Sequence, residues 1–247
     1  MSSESSADST RISSPLTSEP DGNEYAAILR ASLGPDLQHF VEFFSDARRV
    51  RVMAEMLQQH FDRTPGWVLN VGCGPFATEC FVRALRQHHI VSFDYTTGFA
   101  PAYPALRARG YLSNTHFLIG NALALEFRHS AFNLIIIHDV LYEPALELGP
   151  LLRKYGAFLR PGGLIFLTVL DARTRWLWKC LGQERALKRY EIPAVLKLLH
   201  DLGYHVLECV PSSLEARGRL NQAFKQLLWR GFGLANHYAV LARSGAS

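Results

Sequence analysis

The sequence has few cysteines and no long hydrophobic stretch, and both absences exclude classes of protein. Four of its 247 residues are cysteines, and no two have the spacing of a metal-binding or redox pair: Cys73, Cys80, Cys180 and Cys209. A chain of this length does not need disulfides for stability, so we expect reduced thiols and no metal site. No stretch approaches the roughly 18 consecutive apolar residues of a membrane span. The sequence therefore predicts no transmembrane helix.

Residues 1–24 have few large apolar side chains. They contain eight serines, five acidic residues and one arginine. Such a segment cannot bury enough surface to offset the entropy that it loses on ordering, so we predict a disordered serine-rich tail over 1–24. The tail also lacks the basic start and the apolar stretch of a secretory signal. Together with the absence of a predicted transmembrane helix, this favours a soluble, cytoplasmic protein.

The remainder of the chain, residues 25–247, is basic. The whole chain has a net charge of +4, and because the tail contributes about −4, the remainder carries about +8. This charge could attract nucleic acid, anionic lipid or an acidic substrate, but an ordinary solvated surface has the same composition. Charge alone therefore identifies no partner. The length and the 48% of hydrophobic residues fit a single domain.

The spacing of apolar residues changes near residue 66. Between 25 and 65 they recur at three- and four-residue steps, which predicts a helical N-terminal cap. Further along they form short continuous runs separated by segments of helix length: 67–72, 90–94, 115–119, 133–138 and 163–170, then 204–210 and 236–242. Continuous apolar strands joined by helices are typical of a mostly parallel sheet with helices on both faces. The sequence thus predicts an α/β, doubly wound fold.

We expect one domain over 25–247. It would consist of the cap at 25–65, a ligand-binding core at 66–170, and substrate-side helices with the last two strands at 171–247. In doubly wound sheets ligands bind at the carboxyl ends of the strands. The turn after each strand is therefore where functional residues are expected.

The first two turns suit a nucleoside ligand. Gly72 and Gly74 remove side chains where the backbone turns sharply, and the following helix offers free N–H groups. Asp94 ends the second run, where a carboxylate can accept hydrogen bonds from both hydroxyls of a ribose, and Tyr95 could lie against an adenine. The alternatives are a turn without a ligand and an Asp94 that caps the next helix.

The third and fourth turns add polar side chains at the same edge. The amide of Asn121 could bond an adenine, although asparagine is also an ordinary turn residue. His138 and Asp139 follow the fourth run, together with Tyr142 and Glu143. Burying such groups costs several kcal/mol unless each has a partner, which favours a functional origin for this turn.

Together these turns resemble the class I S-adenosylmethionine-dependent methyltransferases over residues 66–170. The glycine turn, Asp94, the Asn121–Ala122 pair, the turn after the fourth run and the stretch 159–163 match five motifs of that family in order. The resemblance implies a Rossmann-like, seven-stranded sheet and S-adenosyl-L-methionine as cofactor. It also implies the cofactor-binding residues: Asn70, Gly72, Cys73, Gly74, Asp94, Tyr95, Asn121, Ala122 and His138. The sequence departs from the family at Asn70, where an acidic residue is usual.

The resemblance implies methyl transfer to an O or N atom of a small organic, aromatic or lipophilic acceptor. His138 and Asp139 are the best-placed candidates for a base that removes the proton of the acceptor. Aromatic side chains from the cap and from residues 172–231 could line the acceptor pocket: Tyr25, Phe40, Phe43, Phe44, Trp176, Trp178, Tyr190 and Trp229.

Three alternatives remain open at this point. Residues 172–231 contain eleven basic and five acidic residues, a composition compatible with nucleic acid, so an RNA or protein acceptor is the second choice. A methyltransferase-like binding protein without catalysis is another. An oxidoreductase that uses a nicotinamide dinucleotide is disfavoured, because Phe76 or Ala77 stands where the third glycine of the dinucleotide motif would be. The sequence does not predict the oligomeric state.

Overall fold

In the computed structural model, which describes residues 21–44, 48–180, 187–212 and 219–245, three helices precede the first strand. They are α1 (Gly22–Ser32), α2 (Gln38–Phe44) and α3 (Arg48–His60). Residues 22–24 belong to α1 and not to the predicted tail, because Asp21 caps this helix by accepting the Asn23 N–H at 3.1 Å. Residues 1–20 of the predicted tail lie outside the described residues.

A seven-stranded sheet follows within the described part of the chain, in the order β3-β2-β1-β4-β5-β7-β6. The strands are β1 (Trp67–Val71), β2 (His89–Asp94), β3 (Thr115–Ile119), β4 (Phe132–Ile137), β5 (Leu159–Leu170), β6 (Tyr204–Pro211) and β7 (His237–Ser244). All neighbouring pairs among β1–β5 are parallel, and β7 runs antiparallel to both β5 and β6. The predicted doubly wound, mostly parallel sheet of seven strands is confirmed.

The strand order reverses at β1, which pairs with β2 on one side and β4 on the other. This reversal is the switch point beside which doubly wound folds bind ligands. The later helices are α4 (Ala77–Phe81), α5 (Ala102–Ala108), α6 (Leu148–Phe158), α7 (Arg175–Cys180), α8 (Ile192–Asp201) and α9 (Arg219–Phe232). No helix in the described ranges is long and apolar enough to cross a membrane.

The sheet has a hydrophobic core on each face, because side chains alternate along buried strands. Val68 and Leu134 point into the core that α1, α3 and α5 cover, whereas Leu69 and Ile135 point into the core under α6 and α8. All four are fully buried. Burial of each such side chain stabilises the fold by about 1.5–3 kcal/mol. The two cores fix β1 and β4, and thereby the turns that follow them.

Candidate functional site

The turn after β1 is held open by two glycines. Gly72 and Gly74 have φ angles of 66° and 56°, which residues other than glycine rarely adopt. A Cβ atom on Gly72 would lie 2.6 Å from Cγ2 of Val140, whereas one on Gly74 would have nothing within 4 Å. The turn after β1 therefore packs directly against the turn after β4, and its second glycine borders open space into which a ligand can approach the backbone.

Phe76 stands in the same turn with a φ of 67°. Counted from Gly72, the third glycine of the dinucleotide motif would fall at the next residue, Ala77. The Phe76 ring is fully buried and lies 5.0 Å from the ring of Phe117. The packing of this ring offsets the unfavourable backbone conformation.

Asp94 joins the first turn to the second. Its Oδ2 accepts the Gly74 N–H at 2.9 Å, and its Oδ1 accepts the Thr96 N–H at 3.0 Å. Burial raises the pKa of Asp94, and these N–H donors oppose that shift. Each carboxylate oxygen accepts one of these bonds and has further acceptor capacity. The carboxylate is therefore held in one orientation beside the glycine turn and can still bind hydroxyl groups.

Tyr25 fastens α1 to the glycine turn. Its hydroxyl donates to the carbonyl oxygen of Pro75 at 2.6 Å, and its ring packs edge-on against Phe81 at 5.0 Å. The side chain has no exposed surface. Tyr25, which we had predicted to line an acceptor pocket, instead supports the turn from behind.

Asn70 lies one layer below the turn and is 1% exposed. Its Nδ2 donates to Oε1 of Glu79 at 2.7 Å, and the Ser92 hydroxyl donates to the same oxygen. Burial raises the pKa of Glu79, whose Oε2 has no hydrogen-bond partner in the described structure. Sequence reasoning missed Glu79 and Ser92, because each is a single polar residue among apolar ones.

Cys73 contributes its backbone to the same region. Its N–H donates to the carbonyl oxygen of Phe93 at 3.0 Å, and its thiol is buried. Burial raises the pKa of this thiol well above its ordinary value. Cys73 thus holds the ends of β1 and β2 together as a neutral thiol.

The third turn lies next to the second, because the Gly120 N–H donates to the carbonyl oxygen of Asp94 at 2.9 Å. Asn121 uses its Oδ1 to accept the Leu123 N–H at 2.8 Å, so its Nδ2 is the part that can donate to a ligand. The carbonyl oxygen of Ala122 accepts the Tyr155 hydroxyl at 3.0 Å. Tyr95 is 73% exposed and could cover a ligand at this edge.

His138 and Asp139 meet Thr168 of β5 at the end of β4. The Asp139 N–H donates to Oγ1 of Thr168 at 2.8 Å, and that oxygen lies 3.4 Å from both Nδ1 of His138 and Oδ1 of Asp139. Asp139 has a φ of 53°, a left-handed conformation that is uncommon for residues other than glycine but that aspartate tolerates better than most. The Nε2 atom of His138 is buried without a hydrogen-bond partner among the described residues.

Arg49 of α3 forms an ion pair with Asp139 across 90 residues of sequence. Its Nε and Nη2 donate to Oδ2 of Asp139 at 3.1 and 2.6 Å. Burial opposes ionisation of Asp139, but electrostatic interactions with His138, Arg49 and His237 and the hydrogen bonds from Arg49 outweigh it and hold the pKa of Asp139 below its usual range. Because a carboxylate with a low pKa is a weak base, this pair favours His138 over Asp139 as a proton acceptor.

Three more ionisable side chains surround this ion pair. Burial lowers the pKa of His138, and lowers that of His237 at the start of β7 to about 4. Burial and the charge of Arg49 lower the pKa of Lys225 in α9. Both histidines are therefore neutral at neutral pH, and Arg49 is the cation in contact with Asp139.

The aromatic residues predicted to line an acceptor site do not form one cluster. Phe43 and Phe44 flank the guanidinium of Arg49, whose carbon lies 5.4 Å from each ring centre. The others lie elsewhere: Phe40 packs against Phe99, the Tyr190 hydroxyl donates to the carbonyl oxygen of Leu141, Trp229 packs against Tyr238, and Trp176 is 55% exposed. The side chain of Trp178 lies outside the described residues.

A surface depression of about 530 Å³ lies at the other edge of the sheet. Ser130, Leu159 and Tyr204 line it, at the amino ends of β4, β5 and β6. It contains none of the residues described above. Ligands of doubly wound sheets bind at the carboxyl edge, so this depression is not the candidate site.

No protein-family model and no curated protein sequence matches the chain. Solved structures do match it. Geranyl diphosphate C-methyltransferase from Streptomyces coelicolor, solved with S-adenosyl-L-homocysteine, is 16% identical, with a TM-score of 0.59 over 88% of each chain. A protein from Galdieria sulphuraria, proposed to be a sarcosine dimethylglycine methyltransferase, is 12% identical, with a TM-score of 0.63 over 92% of this chain and 98% of its own.

A third solved structure has a different activity. The cyclase SpnF is 19% identical to this chain, with a TM-score of 0.58 over 79% of this chain and 81% of its own. At these identities the similarity establishes the fold only. The shared fold hosts methyl transfer in some of these proteins and cyclisation in another.

Proposed function

The chain has the fold of the class I S-adenosylmethionine-dependent methyltransferases, and we propose that it binds S-adenosyl-L-methionine and methylates a small organic acceptor. The observation that carries the proposal is the carboxylate of Asp94. It is fixed at the carboxyl edge of the sheet, beside the switch point, by the Gly74 and Thr96 N–H groups. A carboxylate in this place suits the two hydroxyls of a ribose.

The residues around Asp94 fit a sulfonium nucleoside. The glycine turn leaves open space at Gly74 for close approach to the backbone, and in this proposal His138 faces the methionine part of the cofactor. Tyr95, Asn121 and Ala122 would contact the adenine. Asn70 and Cys73 act through the turn that they support. All of these residues come from the ends of β1, β2, β3 and β4.

When bound, the cofactor supplies a methyl group already activated by the sulfonium charge, so the protein mainly orients the acceptor and excludes water. We propose that His138 accepts the proton of an acceptor O–H or N–H group, because it is neutral and its Nε2, which lies 3.7 Å from Oδ2 of Asp139, makes no hydrogen bond in the described structure. Asp139 orients this histidine through Thr168 and keeps Arg49 in place.

The proposal is tested by removing the Asp94 carboxylate. Asp94→Ala is expected to raise the dissociation constant for S-adenosylhomocysteine at least tenfold, about 1.4 kcal/mol, because a charged acceptor is lost. Asp62→Ala is the matched control, since Asp62 also accepts an N–H two residues ahead, from Thr64 at 3.0 Å, but precedes β1 at the other edge of the sheet. If the folded Asp94→Ala protein binds S-adenosylhomocysteine as tightly as the wild type does, Asp94 is not the residue that binds the ribose.

A second candidate is a cofactor-binding protein that catalyses another reaction or none, because the cyclase SpnF has the same fold. The two candidates differ in one product. Incubation with S-adenosylmethionine and small phenols, amines and carboxylic acids should yield S-adenosylhomocysteine if the chain is a methyltransferase. Tight binding without that product for any small-molecule, RNA or protein acceptor would favour the second candidate.

A further inference from the structure

Arg49 uses less than half of its hydrogen-bonding capacity in the ion pair. A guanidinium has five N–H groups, and both bonds to Asp139 end on the single oxygen Oδ2. Within the described ranges, the Nη1 group and the second hydrogen of Nη2 make no further hydrogen bond. The Arg49 side chain is 32% exposed and that of Asp139 is 12% exposed, so the guanidinium lies on the outer side of the pair. Its unused donors can therefore bind an incoming anion.

Lys225 provides a second cation near this fork. It belongs to α9, which reaches the site from the opposite end of the chain, and it is half-buried. Burial lowers the pKa of both His138 and His237, so neither histidine adds positive charge at neutral pH. Burial and the positive charge of Arg49 lower the pKa of Lys225, so these two cations from separate helices are close enough to interact.

An apolar surface adjoins the cations. Phe43 is 54% exposed, and its ring centre lies 5.4 Å from the guanidinium carbon of Arg49, within the range of a cation–π contact. An exposed aromatic ring next to a guanidinium can contact the apolar body of a molecule whose acidic group binds the fork. The planar fork matches the two oxygens of a carboxylate.

We propose that the acceptor is an aromatic or lipophilic carboxylate, whose acid group binds Arg49 and Lys225 and whose apolar body contacts Phe43. This inference rests on the proposed function, since it names the acceptor class for the same site. Arg49 then has two roles: it holds Asp139 in place and determines specificity for acidic acceptors. A neutral acceptor of the same shape would leave the free guanidinium donors unpaired.

The test uses benzoate and its neutral isostere benzamide as probes, titrated into the full-length protein with and without saturating S-adenosylhomocysteine. Benzoate is expected to bind at least tenfold more tightly than benzamide. Arg49→Gln should raise the dissociation constant for benzoate at least tenfold, and Lys225→Gln should raise it about threefold. Arg51→Gln is the matched control: it lies on the same helix, is 54% exposed and pairs with Glu55 at 3.5 Å, so benzoate affinity should not change.

The inference is overturned if benzoate does not bind, if benzamide binds equally well, or if both the Arg49 and the Lys225 variants keep the wild-type affinity. Lys225→Gln keeps the test decisive if Arg49→Gln fails to fold, because Lys225 lies on a separate helix. The cofactor arm separates the two proposals. S-adenosylhomocysteine binding without benzoate binding contradicts only the acidic acceptor, whereas the reverse result contradicts only the proposed cofactor.

Discussion

Replacing Arg49 by methionine is expected to destabilise the protein by about 2 kcal/mol at pH 7. The substitution keeps an apolar stem on α3 but leaves the carboxylate of Asp139, 12% exposed, without its ion-pair partner. Loss of one partner from a fully buried pair costs about 3–5 kcal/mol. Because the Arg49 side chain is 32% exposed, solvent screens part of that cost, and we expect a value below this range.

The effect should depend on pH. The pKa of Asp139 is lowered in the folded protein, so its ion pair contributes stability above the unfolded pKa of about 3.9, and this stability is lost as the pH falls through the folded pKa. Without Arg49, the balance moves toward burial, which favours the protonated carboxyl. The difference between the two proteins should therefore shrink as the pH falls from 7 toward 4.

Urea unfolding followed by circular dichroism measures these free energies. Asp139→Asn introduced into the Arg49→Met protein should recover part of the loss, because the buried charge is removed. Arg51→Met is the control on the same helix and should stay within about 0.5 kcal/mol of the wild type, since its ion pair is exposed. A loss below about 0.5 kcal/mol for Arg49→Met, or no recovery in the double variant, would refute the reasoning.

Two further predictions concern the layer around the glycine turn. Gly72→Ala should lower the free energy of unfolding by about 2–3 kcal/mol and weaken S-adenosylhomocysteine binding, because it adds a 2.6 Å contact with Val140 to an unfavourable φ. Gly74→Ala should lower it by only about 1 kcal/mol, because its Cβ atom would enter open space, and equal free energies of unfolding for the two variants would contradict this. Neutral Glu79 contributes stability that is present below its unfolded pKa of about 4.3 and is lost as the pH rises through the raised folded pKa. Glu79→Gln should therefore gain stability relative to the wild type as the pH rises above the unfolded pKa of about 4.3, and a pH-independent difference between the two free energies of unfolding in urea would contradict this.

The sequence predicted the sheet well, because its strands are short continuous apolar runs separated by segments of helix length. The predicted runs 67–72, 115–119 and 133–138 each agree with a strand to within one residue. The start of β5 differs from the prediction. The sequence predicted a start near 163, because Pro161 and Gly162 are typical of a turn, but the strand begins at Leu159. A register shift between Phe132 and Leu134 in the pairing with β5 accommodates these residues.

The site could be predicted only where its residues follow strands in order. Asp94 was identifiable because its distance from the glycine turn along the chain is typical of a nucleoside site. The ion pair of Arg49 with Asp139 joins residues 90 positions apart, and nothing in the pattern of α3 distinguishes Arg49 from Arg51. The Tyr25 contact with Pro75 was hidden for the same reason: tertiary packing determines it, and local spacing does not.

The most direct test of the proposed function is calorimetric titration of the wild-type protein with S-adenosylmethionine, S-adenosylhomocysteine and, for comparison, a nicotinamide dinucleotide. We predict micromolar dissociation constants for both sulfur nucleosides and no binding of the dinucleotide, because the third glycine of the dinucleotide motif is absent after Gly74. Absence of binding by both sulfur nucleosides, or preferential binding of the dinucleotide, would contradict the assignment of this edge of the sheet as a methyltransferase cofactor site.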